Sequence, residues 1–295
     1  MRKICVTVIF FLFVFQISSQ PPTERNRFRF VFMTDIHVQP EQNATKGFLQ
    51  AIDTVNSLNP DFILTGGDLI MDALGVPYSR ADSLFTLYSA CCRKFHAPVY
   101  NTMGNHEIFA LYRKAGADTI NPLAGTRMYE KRIGKTYYTF TFGGWKFFVL
   151  KSVLCMPDRK YSGGIDLDQM AWIKEELAHT DPEIQICISV HIPMMTVYSQ
   201  VVDGATKSNE PGMIITNAKE VLALFKGYNL KLVLQGHLHY LEEIYVQDIR
   251  YITGGSIASG WWKKITMNTP FGFLVLDVDG EKVTWQYKTY GWRVN

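Results

Sequence analysis

The chain lacks several features that would have pointed elsewhere. No run of five or more Lys or Arg occurs in its 295 residues, and the formal net charge is only +3, falling to about +1 if Arg2 and Lys3 are removed. That balance excludes the electrostatic footprint of a nucleic-acid surface. No Cys-x-x-Cys pair is present, which excludes zinc-finger chemistry. No internal repeat or low-complexity linker interrupts the sequence, so solenoids and tandem arrays are excluded as well. The apolar run near the N-terminus, Ile4–Phe15, has twelve residues and is broken by Thr7. A stable membrane span needs about 20.

What stands there instead reads as a secretory leader. Met1-Arg2-Lys3 is a basic n-region, and Gln16 to Pro22 supplies small and polar residues where a peptidase cuts. We expect residues 1–20 to be a cleaved signal and residues 21–295 to form one exported domain, periplasmic or extracellular. Cys5 precedes the apolar run's core, too early for a lipid-modified cysteine. Without it the cysteines are Cys91, Cys92, Cys155 and Cys187, expected to be free buried thiols, since four in a domain of this size make no disulfide scaffold. Nothing in the chain speaks to oligomeric state.

Strand and helix signals then alternate. Strands are expected at Phe28–Thr34, Phe62–Thr65 and Val99–Met103, with helices near Thr45–Leu58 and Ser79–Phe95 between them. An irregular stretch, Ala115–Gly125, follows. Tyr137–Phe142 and Trp145–Val149 flank Gly143-Gly144 as a hairpin. Asp166 is placed to cap a helix running to Leu177, in which Met170, Ile173 and Leu177 recur at helical spacing. After Cys187–His191 come a long loop, Pro193–Gly212, and a helix near Thr216–Lys226. Further strands are expected at Lys231–Leu234, Ile249–Thr253, Gly272–Val278 and Lys282–Lys288, the last two a hairpin over Asp279-Gly280. Hairpins in the second half imply a second sheet. The expected fold is α/β, a four-layer α/β/β/α sandwich of two mixed sheets.

Five polar clusters close five of these apolar runs: Asp35-Ile36-His37, Gly67-Asp68, Gly104-Asn105-His106-Glu107, Val190-His191 and Gly236-His237-Leu238-His239. Strand ends that deliver side chains to one crevice look like this. Asp, Asn and His together form a mixed oxygen and nitrogen donor set suited to Mn, Fe, Zn or Ni. Five of the seven histidines fall inside the clusters; His96 and His179 lie outside, at expected helix ends, and read as structural. Asp72 and Asp158 are loop carboxylates without an assigned role.

In their order and content these motifs resemble the calcineurin-like metallophosphoesterases, whose pattern is Asp-x-His, Gly-Asp, Gly-Asn-His-Asp/Glu, a lone His and Gly-His-x-His. The resemblance runs from Asp35 to His239 with every motif intact. It implies two metal ions bridged by Asp68 and a solvent hydroxide, with Asp35, His37 and His239 on one and Asn105, His191 and His237 on the other. It also implies that His106 binds no metal and faces the substrate, stabilising phosphoryl charge or protonating the leaving oxygen. Two cations about 3.5–4 Å apart can clamp a phosphate and acidify a shared water, and an imidazole titrates in the range a proton donor needs. Glu107 either orients a ligand or opens a helix.

Departures narrow the branch. Leu69, Ile70 and Met71 follow Asp68, so the tyrosine of purple acid phosphatases is missing, and Gly67–Gly75 lacks the arginine run of Ser/Thr protein phosphatases. The chain looks nearest to the small cyclic-nucleotide-phosphodiesterase-like branch, in exported bacterial form; Asn43-Ala44-Thr45 is a glycosylation sequon of consequence only in a eukaryotic host. The expected activity is hydrolysis of a small phosphomonoester or phosphodiester. The alternatives are cleavage of a pyrophosphate in a nucleotide or lipid head group, or a silent binding module, against which Asn105 and His106 both speak. Substrate choice should lie in Pro193–Gly212, which carries Tyr198, and in Gly254–Lys264, which carries Trp261, Trp262, Lys263 and Lys264. Both tryptophans are read as packing under the second sheet, with stacking on a base or sugar as the alternative.

Overall fold

The computed structural model describes residues 26–113 and 120–294. The expected leader and part of the Ala115–Gly125 stretch lie outside the described residues. In chain order the elements are β1 (Arg27–Met33), α1 (Ala44–Ser57), β2 (Phe62–Thr65), α2 (Tyr78–Cys92), β3 (Val99–Asn101) and α3 (Arg127–Arg132). Next come β4 (Tyr138–Phe142), β5 (Trp145–Val149), β6 (Val153–Cys155), β7 (Tyr161–Gly163), α4 (Leu167–Ala178) and β8 (Gln185–Ser189). The chain continues through α5 (Tyr198–Asp203), α6 (Ala218–Leu224), β9 (Leu230–Gln235), β10 (Leu241–Val246), β11 (Ile249–Gly254), β12 (Gly272–Asp279) and β13 (Lys282–Thr289).

Two large mixed sheets result, of order β13-β12-β1-β2-β3 and β10-β11-β9-β8-β5-β4, with β6-β7 as a small separate ribbon. Strand periodicity explains why the sheets stack. In β1, Phe28, Phe30 and Phe32 face the second sheet, where they meet Trp145, Phe147 and Val149 of β5 and Leu232 and Leu234 of β9. Phe30 stacks on Phe62 at 4.9 Å and meets the edge of Phe147 at 5.8 Å. The alternate residues Val31 and Met33 join a second core with Phe48, Ala51, Ile52 and Val55 of α1. Helices α1 and α2 touch each other, as do α4 and α6. The four-layer expectation holds.

Local chemistry is legible in several places. Asp166 Oδ1 accepts the Gln169 backbone N–H at 2.9 Å, the expected cap of α4. Gly143 and Gly144 both take positive φ between β4 and β5, as the two-residue hairpin requires. Other expectations need correction. The β12–β13 tip is Gly280-Glu281, one residue later than expected, because Asp279 still pairs with Lys282. Within Pro193–Gly212, expected as loop alone, lies α5. Strand β10 was not legible: it is a sheet edge with Glu243 and Tyr245 exposed, and edge strands carry charge in place of clean alternation. Cys91, Cys92, Cys155 and Cys187 are all free; Cys91 and Cys187 are buried as expected, but Cys92 is only half-buried and Cys155 is exposed. Among the described residues, no helix is long and apolar enough to cross a membrane.

Candidate metal centre

Strands β1, β2 and β3 run parallel, and so do β5, β8 and β9, so the carboxyl ends of each set open at one edge. From those ends hang Asp35 and His37, Asp68, Asn105, His191, and His237 and His239. Hydrogen bonds join the two sheets there: His191 Nδ1 donates to Gly66 O at 2.7 Å, and the Thr102 and Ser189 hydroxyls lie 2.7 Å apart. The turns are tight enough that Asp35, His37, Asp68, His237 and His239 all sit at φ between 46° and 73°. Such left-handed conformations cost residues with a Cβ roughly 1–3 kcal/mol each and gather where function over-determines the backbone. Gly104 shows how little room remains, since a Cβ there would meet Asp68 Oδ1 at 2.2 Å.

The side chains form three overlapping groups, each with its donor atoms within 4.8 Å of one another: Asp35, His37 and His239; His37, Asp68 and His106; and Asp68, His191 and His237. In the first, His37 Nε2 lies 3.0 Å from His239 Nε2, and His239 Nε2 lies 3.3 Å from Asp35 Oδ1. In the last, His191 Nε2 is 3.2 Å from Asp68 Oδ2, 3.2 Å from His237 Nδ1 and 3.0 Å from Asn105 Oδ1. Every predicted ligand is therefore brought to one place, and Asp68 is shared between groups.

The donor chemistry fits metal ions. His191 and His239 each use Nδ1–H on a backbone carbonyl, Gly66 and Ser259 respectively, which turns Nε2 inward. Two imidazole nitrogens at 3.0 Å with a carboxylate oxygen beside them, all buried, call for a shared cation or proton. The electrostatics of the buried groups point the same way. Burial pushes Asp35 and Asp68 up, but the surrounding histidines outweigh it, holding Asp35 low and Asp68 well below the carboxylate range. Burial pulls His191 down, yet Asp68 and Asp35 raise it to about 9. His237 is lowered to about 4 by burial and by the charge of His191. His37 is held well below its ordinary value by burial and by His106.

His106 sits at the edge of this cluster. Its backbone N–H donates to Asp68 Oδ1 at 3.0 Å, its Nδ1 bonds the Met71 carbonyl, and its Nε2 lies 3.8 Å from Asp68 Oδ2. Glu107 opens no helix. It is fully buried and accepts the backbone N–H groups of Gly104, Asp68, Leu69 and Ile70. Burial and the Asp68 charge push its carboxyl up to about 8, against the pull of those donors. Asp72 and Asp158 cap their own turns, accepting from Leu74 N and Lys160 N. His96 and His179 are exposed and stand apart from the centre.

The tandem tryptophans separate. Trp262 is buried, as expected, but it packs on Gly47 of α1, Phe271 and Trp292 rather than under the second sheet. Trp261 is not core. It is 37% exposed, with its ring 4.3 Å from that of His37, 5.0 Å from His239 and 5.3 Å from His106. A residue without a motif also reaches the centre: the Tyr161 ring lies 6.1 Å from that of His237, and burial together with Asp68 raises its hydroxyl to about 12.

Known proteins share this fold at low identity. A dimetal phosphatase from Danio rerio is similar in structure, with a TM-score of 0.63 at 14% identity over 89% of this chain and 96% of that one. GAP50, the anchor in the inner membrane complex of Plasmodium, is similar with a TM-score of 0.54 at 15% identity over 90% of this chain and 85% of that one. These likenesses concern the fold. No curated protein matches the sequence. A family model, calcineurin-like phosphoesterase, matches residues 28–241, which contain β2 to β9, all of β1 but its first residue, and all five motifs. On that match, and with the motif side chains gathered at one crevice, the chain belongs to the calcineurin-like phosphoesterases, metal-dependent hydrolases of phosphate esters.

Proposed function

We propose that the chain hydrolyses a small phosphomonoester or phosphodiester at a dinuclear centre. Asp35, His37 and His239 would hold one metal ion, Asn105, His191 and His237 the other, and Asp68 both. The mixed donor set suits Mn, Fe, Zn or Ni. The observation that carries this reading is the position of Asp68, whose Oδ2 is 3.7 Å from His37 Nε2 in one group and 3.2 Å from His191 Nε2 in the other. When bound, such a pair supplies an acidified water and positive charge for the phosphate oxygens. The protein's part is then placement and proton supply. His106 presents Nε2 at the rim while Met71 O holds Nδ1, so its free nitrogen can carry a proton to the leaving oxygen. Asn105 contributes a neutral oxygen, which leaves the centre more electrophilic than a third carboxylate would. The basic n-region and short apolar run support action outside the cytoplasm.

The test is metal analysis beside turnover of p-nitrophenyl phosphate and bis-p-nitrophenyl phosphate with added Mn. Wild type should hold two equivalents, and Asp68→Asn should hold fewer and turn over slowly. Full metal occupancy with wild-type turnover in Asp68→Asn ends the shared-carboxylate reading.

A further inference from the structure

One surface of the site is not needed to hold metal. Trp261 leaves 37% of its area open beside His106, while its ring lies against those of His37 and His239. The loop that carries it is fixed on both sides. Before it, Ser259 O accepts the Nδ1–H of His239; across it, the Gly260 N–H donates to Lys264 O at 2.8 Å; after it, the Trp262 indole N–H donates to Ile36 O and His37 O at 3.1 and 3.0 Å. Ser259, Trp261 and Trp262 all lie at positive φ, of 42°, 60° and 65°, a conformation disfavoured for residues with a Cβ. A strained, well-tied loop thus holds a partly exposed indole beside His106 and against the rings of His37 and His239. Leaving that face in water is unfavourable, and a flat apolar group covers it best.

We infer that Trp261 is the binding surface for the organic arm of the ester, and that the substrate belongs to the phosphate esters whose arm carries a flat ring, a nucleobase or an aryl group. This rests on the phosphoesterase reading. The rigid loop makes Trp261 pre-organised, so its contribution belongs to ground-state binding and not to the chemical step.

Phosphonates test it without turnover, since their P–C bond is not cleaved. Calorimetry of the Mn-loaded protein would use phenylphosphonate, adenosine 5′-methylenephosphonate, methylphosphonate and inorganic phosphate. Trp261→Leu should weaken one or both ring-bearing probes about tenfold or more and leave methylphosphonate and phosphate unchanged, while Trp261→Phe retains most of the affinity. Loss confined to the adenosine probe identifies a nucleobase, and loss on phenylphosphonate identifies an aryl arm. Equal weakening of all four probes, or of none, overturns the assignment while leaving the metal centre standing. Phosphate that binds neither wild type nor variant overturns both.

Discussion

Glu107 Oε2 accepts the backbone N–H of Asp68 at 3.0 Å and that of Gly104 at 2.7 Å, so one buried oxygen ties the loop after β2 to the loop after β3. Its other oxygen takes Leu69 N at 2.8 Å and Ile70 N at 3.1 Å. The backbone of Asp68 is therefore held by a buried carboxyl that bonds main-chain N–H groups of both loops. Glu107→Gln keeps the shape but turns an NH2 group toward two N–H donors. Each orphaned buried donor costs about 1–3 kcal/mol, so two give an expected loss of stability on the order of 2–6 kcal/mol, read by urea unfolding, with weaker metal binding. Unchanged unfolding would mean that those donors find other partners.

His106→Ala separates proton supply from metal binding. Metal content should stay near wild type while kcat falls by about 10²–10⁴, the usual contribution of a general acid. The loss should be smaller for a p-nitrophenyl ester than for an alkyl ester, because the activated leaving group hardly needs a proton. Equal losses on both would assign His106 to charge stabilisation.

The five motifs were legible because metal ligation demands particular side chains at strand ends, and that demand writes itself into sequence order. The stacked sheets were legible for a similar reason, Phe28, Phe30 and Phe32 alternating with Val31 and Met33. What stayed hidden depends on backbone. Ser259 holds His239 through a carbonyl, which no residue type signals. Trp261 and Trp262 are identical neighbours, and only successive left-handed conformations send one to the site and the other to the core. Tyr161 reaches His237 from a three-residue strand with no pattern of its own.

pH should act on the metal-free protein through buried groups of opposite sign, of which His191 and His237 are two. His191 rises from an ordinary value of 6.5 to about 9, so its stabilisation is complete below 6.5 and is lost as pH climbs through 9. His237 falls from 6.5 to about 4, so its stabilisation is complete above 6.5 and is lost as pH drops through 4. Chelated protein should therefore be most stable near 6.5. The proton on His191, and that on His239, which Asp35 raises against burial, compete with metal, so metal binding at neutral pH should release at least one proton. Calorimetry in buffers of different ionisation enthalpy reads that number; no release would contradict a protonated His191.

Export makes a separate expectation. The mature chain should begin near Gln20 and be recovered in soluble form outside the cytoplasm. Intact mass would show the cleavage, and a membrane-bound species retaining Met1 to Ser19 would instead identify an anchor.

Trp262 offers a test of how far the fold reaches into the centre. Its indole N–H is shared between the carbonyls of Ile36 and His37, and His37 stands at φ 46°. Trp262→Phe keeps a ring in the core but removes that donor and leaves a gap against Gly47. The expected cost is on the order of 1–3 kcal/mol, one buried hydrogen bond plus lost volume. If the indole also holds His37 in its strained turn, the variant should lose affinity for one metal ion while the other stays bound, because Asn105, His191 and His237 hang from different loops. Stepwise metal titration beside thermal melts distinguishes the two effects. A lower melting temperature with both metal affinities intact would confine Trp262 to the core. Selective loss of one metal would show that the strained turn at His37 depends on an indole 225 residues away in sequence.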